Sequence, residues 1–161
     1  MASSAAEGRG ERRLLPQEHF LEVVERAPLV SIDLIVRDPA GRVLLGLRRN
    51  APARGWWFVP GGCIRKGETI DIAFGHIARG ELGLEVRRAD ARFLGVYEHF
   101  YADNAGDRPG FGTHYVVQGY ALNVEAVPAL PPEQHSEYRW LSVDELMSDP
   151  LVHENTKAYF R

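Results

Sequence analysis

Five groups of residues in this chain have the types and spacing to do chemistry. Glu81 follows Ile70, Phe74 and Ile77 at helical spacing, so the buried stripe of one helix ends on a carboxylate. An inward charge is costly unless it is paired, so Glu81 is either half of a salt bridge or a metal ligand. Gly61 and Gly62 precede that helix and let backbone approach a ligand, with a carbonyl able to face a cation. Arg48 and Arg49 end a strand beside a glycine-containing loop, where a guanidinium pair can clamp a diphosphate. Asp33 interrupts an otherwise apolar strand with a charge, which suits a salt bridge as well as a ligand contact. Gln134 and His135 sit side by side just before a short strand, Arg139-Trp140-Leu141.

The elements that must position these groups can be read in order. Residues 1–13 are small, polar and charged without periodicity, and are expected to be a flexible extension. Pro16 opens a helix whose apolar face is Phe20, Val23 and Val24. Two strands, 29–36 and 42–48, flank the turn Asp38-Pro39-Ala40-Gly41. Residues 56–59 form a third, leading into the glycine pair. The helix carrying Glu81 stops at Gly83. Residues 92–101 alternate, with Tyr97, His99 and Tyr101 on one face and Val96 and Phe100 on the other. The glycine-rich loop 102–112 reads as mobile, and strand 113–122 carries His114 and Tyr115. Prolines make 127–137 a stiff loop. Ser142 to Glu145 is a capping box for a short helix, and 152–160 suits a last one.

Composition narrows the class. With 161 residues, 45% of them hydrophobic, one domain over 14–161 is expected. A formal net charge of −3 does not favour a nucleic-acid surface, and no apolar run approaches the length of a membrane span. The single cysteine, Cys63, excludes an intrachain disulfide, which suits a reducing cytoplasm.

The stretch GGCIRKGETIDIAFGHIARGELGL resembles the Nudix box, the diphosphate-hydrolase signature. Gly62, Glu68, Ala78, Glu81, Gly83 and Leu84 fit it. His76-Ile77 replaces the usual Arg-Glu, and Gly80 the first of the paired glutamates, so two of three metal carboxylates are absent. Outside the box, PLVSIDLIVRDPAGRVLLGLRRN, PARGWWFVPGG, GVYEHFYADN, THYVVQGY and PEQHSEYRWLS resemble the GDP-mannose mannosyl hydrolase branch, in order, over nearly the whole chain. That branch has the same gaps in its box.

The resemblance implies an α/β (α+β) Nudix fold, a mixed β-sheet sandwiched between helices. It implies water attack at the anomeric carbon of a GDP-sugar, GDP-mannose or GDP-glucose, with inversion. One Mg²⁺ (Mn²⁺ also suits) would be held by the Gly61 carbonyl, Glu81 and Gln134, a hard oxygen set. His135 becomes the general base, a role that suits histidine's reference pKa of about 6.5. Arg48 would stabilise the departing GDP, and Asp33, His99 and Tyr115 would surround the sugar and diphosphate. Glu68 would support the helix end, pairing with His76. Cys63 stands where the branch has an arginine, so either Arg65 or Arg54 replaces it or the preferred nucleotide sugar differs. A homodimer is also implied. Cleavage at phosphorus, or nucleotide-sugar binding without turnover, are the competing readings.

Overall fold

The computed structural model describes residues 14–126, 130–132 and 135–161. The N-terminal extension and Gln134 lie outside these. Helix α1 (Gln17–Arg26) precedes strands β1 (Leu29–Arg37), β2 (Val43–Arg48), β3 (Trp57–Phe58) and β4 (Gly61–Cys63). Helix α2 (Ile70–Leu82) follows, then β5 (Arg92–Tyr101), β6 (Thr113–Asn123) and β7 (His135–Leu141). Helices α3 (Val143–Ser148) and α4 (Glu154–Lys157) and a 3₁₀ turn, Ala158–Phe160, complete the order.

The sheet is mixed. Its main path runs β3-β2-β1-β6-β5, with β4 added to β1 and β7 added to β2. β1 and β6 are parallel along their whole paired length, and the other pairs are antiparallel. β1 changes partners along its other edge. β2 meets it at Arg37, whereas β4 occupies the edge at Ser31, Ile32 and Asp33. The sheet therefore splits beside Asp33.

Alternation along β1 sends Ile32, Leu34 and Val36 to one face and Ile35 to the other. The first set packs with Leu44, Phe74, Ile77 and Leu82, so α2 covers that face. Ile35 packs with Val43, Leu45, Trp57, Leu146 and Val152, so α3 and the C-terminal segment cover the other. This is the expected mixed sheet between helices.

Several local expectations change. The buried set of α2 is Ala73, Phe74, Ile77, Ala78 and Leu82. Ile70 is 39% exposed, because burial begins only after the first turn. In α1, Leu21 and Val24 are buried and Val23 is exposed, because Leu21 packs against Gly106 in the loop after β5. That loop is not loose. Buried Asn104 donates to the Arg108 and Phe111 carbonyls and accepts from the Gly106 and Arg108 amides, all at 2.8–3.1 Å. Along β5 the alternation holds, with His99 buried and Val96 and Phe100 exposed. The capping box is formed in both directions at Ser142 and Glu145. The last helix is one short turn of α followed by the 3₁₀ turn.

Candidate functional site

Glu81 lies on the last turn of α2, with a side chain only 11% exposed. The helix is launched by Thr69, whose side chain accepts from the Ile72 amide. Behind that cap, Glu68 does the supporting work expected of it. Its Oε2 accepts from the Arg65 amide at 2.7 Å, and its Oε1 lies 2.7 Å from His76 Nδ1. His76, which stands where the box has an arginine, thus pairs with Glu68.

β4 runs beside this helix, with Gly62 against Ile77. The Leu34 amide donates to the Pro60 carbonyl and the Ile64 amide to the Val30 carbonyl. Antiparallel alternation then makes Ile32 and Gly62 the bonded pair between them and turns the Gly61 carbonyl out of the ladder. Gly61 cannot be another residue, because a Cβ there would collide with the Asp33 carboxylate and the Ile32 carbonyl.

His135 is not on a loop. It is the first residue of β7, pairs with Arg48 of β2 and is 4% exposed. β7 thus begins four residues before Arg139, because the long edge of β2 supplies ladder partners back to Arg48. The imidazole lies flat on β2 over Gly46, where a Cβ would overlap the ring. Its Nδ1 faces that backbone, buried and without a hydrogen-bond partner. Its Nε2 lies 3.4 Å from Glu81 Oε2. A lone glycine inside an apolar strand was the available signal for this close approach.

These residues meet. A cavity of about 200 Å³ is lined by Asp33, Arg48, Gly61, Glu81, His99, Tyr115 and His135. All seven described candidates are in it; Gln134 is outside the described residues. Asp33 points to the same face as Ile35, the one covered by the C-terminal segment, while Glu81 comes from α2 on the opposite face. Only the split between β2 and β4 lets both reach one space.

Sequence reasoning missed some of the lining. Phe58, Ser31 and Tyr101 also line the cavity, as do Cys63 and Arg65, which the sequence had singled out. Arg65 lies over the Phe20 ring at 5.8 Å and Arg48 over the Phe58 ring at 5.7 Å, and each has a buried Nε with no partner. Arg54 is instead engaged with Asp107 at 3.0 Å, outside the lining. Of the two arginines considered, Arg65 lines the cavity with Cys63 and Arg54 does not. Asp33 also has an unforeseen partner, the Tyr159 hydroxyl, which donates to Oδ2 at 2.7 Å.

Burial sets the charge states. It pushes the Asp33 carboxyl up to about 7, against the Tyr159 bond and the nearby Arg48, both of which favour the ionised form. Glu81 adds to the upward push. Burial also pulls His99 down to about 4, with His153 contributing, so His99 is uncharged near neutrality. Its Nε2 is buried and unpartnered. The Tyr101 hydroxyl is pushed up to about 12 and Tyr115 further, both by burial, so both remain protonated donors.

The metal-donor chemistry fits a sparse site. Among the described residues no group of three or more His, Cys, Asp or Glu side chains could hold an ion. Gly61 and Glu81 both line the cavity and carry hard oxygen donors, which suit Mg²⁺, an ion that keeps water and substrate phosphates in its shell.

Comparison with known proteins agrees with this architecture. The NUDIX domain profile matches residues 27–161. The low-salt glycan biosynthesis protein Agl8 of Haloferax volcanii is 39% identical over 126 residues, covering 78% of each chain. The MutT NUDIX hydrolase of Burkholderia pseudomallei superposes with a TM-score of 0.67 at 28% identity, over 83% of this chain and 96% of that one. The NUDIX domain of Shewanella oneidensis NrtR, complexed with ADP ribose, shares the fold with a TM-score of 0.62 at 17% identity, over 91% and 96%. No described helix is long and apolar enough to cross a membrane. With most of its length matched by the family profile and its box glutamate facing a cavity, this chain belongs to the Nudix hydrolase family.

Proposed function

We propose that the protein hydrolyses a GDP-sugar, GDP-mannose or GDP-glucose, at the anomeric carbon, giving GDP and the free sugar with inversion. The observation that carries this is the convergence of His135, Glu81, Gly61, Arg48, Asp33, His99 and Tyr115 on one cavity. The relative named for glycan biosynthesis fits a substrate that is an activated sugar.

Gly61, Glu81 and Gln134 are the residues that would hold Mg²⁺. The ion would supply positive charge to the leaving diphosphate. Arg48 and Arg65 bring guanidinium groups with unpartnered Nε atoms to the same end. Asp33 suits a hydroxyl of the sugar. His135 takes the proton of the attacking water at Nε2, the nitrogen 3.4 Å from Glu81, and the resulting imidazolium then faces that carboxylate. The new bond joins water oxygen to the anomeric carbon. The bond from that carbon to the diphosphate oxygen breaks, and its electron pair leaves with GDP. The protein acts as a homodimer in this reading, within the cytoplasm.

Incubation with GDP-mannose and Mg²⁺ in ¹⁸O-labelled water tests the reaction. The expected products are unlabelled GDP and labelled β-mannose. GMP with mannose 1-phosphate would instead place the attack at phosphorus, and binding without products would make the protein a nucleotide-sugar receptor. Glu81→Gln should also weaken Mg²⁺ binding in a metal titration. An unchanged midpoint would remove Glu81 from the ligand set.

A further inference from the structure

Tyr159 reaches Asp33 of the cavity wall from the far end of the chain, 126 positions away. It lies in the last 3₁₀ turn and does not itself line the cavity. Its ring is held on several sides. Tyr97 meets it edge-on with centroids 4.6 Å apart, and His99 does so at 6.0 Å. Gly119 of β6 lies beneath it, so close that a Cβ there would come within 3.0 Å of the ring. With the ring held against Tyr97 and His99 of β5 and over Gly119 of β6, its hydroxyl reaches Asp33 Oδ2.

The two oxygens of Asp33 are then unequal. Oδ2 is occupied by the tyrosine. Oδ1 lies against Gly61 and is the oxygen left for another donor. A carboxylate held at one oxygen loses its rotational freedom, so its second oxygen becomes an acceptor of defined direction. The cationic groups, Arg48 and Arg65, mark where an anionic part of a ligand binds, and Asp33 marks the uncharged, hydroxyl-bearing part.

We propose that Tyr159 is a positioning residue for substrate recognition: by anchoring Asp33 Oδ2 it aims Oδ1 at a hydroxyl of the group that departs from the diphosphate. This rests on the nucleotide-sugar reading of the site. The ring contacts make Tyr159→Phe a conservative change that removes the donor alone.

The test compares the parent, Tyr159→Phe, Asp33→Ala and the double variant. Sugar release from GDP-mannose, binding of GDP with Mg²⁺, and urea unfolding are measured for each. Tyr159→Phe should lower kcat/KM for GDP-mannose by about 10-fold, the scale of one lost bond to a charged acceptor, and leave GDP affinity within about twofold. In the Asp33→Ala background the same change should cost under about twofold. An equal loss in both backgrounds overturns the proposal, as does a loss of GDP affinity that matches the loss of turnover. If the parent releases no sugar, the substrate reading falls separately. The unfolding cycle then decides: coupled effects of the two substitutions keep the anchoring contact, and additive effects remove it.

Discussion

At the scale of single residues, the site depends on a histidine and the glycine beneath it. His135→Gln should lower kcat by about 10²–10⁴-fold, the usual loss for a general base, while Mg²⁺ affinity stays near that of the parent. A parent-like rate would end its catalytic role. Gly46→Ala should be almost as damaging although Gly46 is not assigned to any chemistry, because its Cβ would occupy the position of the imidazole. The ring would have to leave β2, taking Nε2 away from Glu81. A steady-state rate within about twofold of the parent would show that the imidazole can shift without consequence. The legibility of these two residues differed. His135 was carried by the likeness of its flanking stretch. Gly46 carried only the general signal of a glycine within a strand, and the partner lying over it was 89 positions away.

At the scale of elements, the loop between β5 and β6 shows how composition misleads. Three glycines, a proline and acidic residues read as mobile, yet one buried side chain organises the whole segment. Asn104, itself buried, satisfies two amides and two carbonyls of the loop. Asn104→Ala should therefore cost about 2–4 kcal/mol in urea unfolding, well beyond a surface loop substitution. A loss under about 0.5 kcal/mol would mean that the loop holds without it. The capping box, by contrast, was legible because caps are local. The donor and acceptor lie within three residues of each other.

At the scale of the whole molecule, the split sheet places two oppositely shifted groups in one region, and stability should record both. Asp33 is raised by burial to about 7. Its contribution is fully present below the unfolded value of 3.8 and is lost as pH rises through about 7. His99 is lowered by burial to about 4. Its contribution is present above the unfolded value of 6.5 and is lost as pH falls through about 4. Between about pH 4 and 6.5 the two slopes oppose each other and flatten the stability curve. Asp33→Asn removes one of them. The metal-free variant should gain stability with rising pH more steeply over that window than the parent does. Parallel curves for the two proteins would show that no such opposition exists.

The sequence alone determined what depends on local order. The helix ending at Gly83, the box glutamate on its inner face and the alternating strands follow from spacing within a few residues. The family likeness follows from stretches that stay in order. Tertiary structure decided everything that depends on distant segments meeting. β4 displaces β2 from the edge of β1, and that split lets Asp33 and Glu81 reach one cavity from opposite faces. It put Arg65 and not Arg54 in the cavity lining, moved His135 from a loop onto a strand, and brought Tyr159 to Asp33. The physical reason is the same in each case. A side chain's period tells which way it faces along its own element, but what it faces is set by how the sheet is assembled.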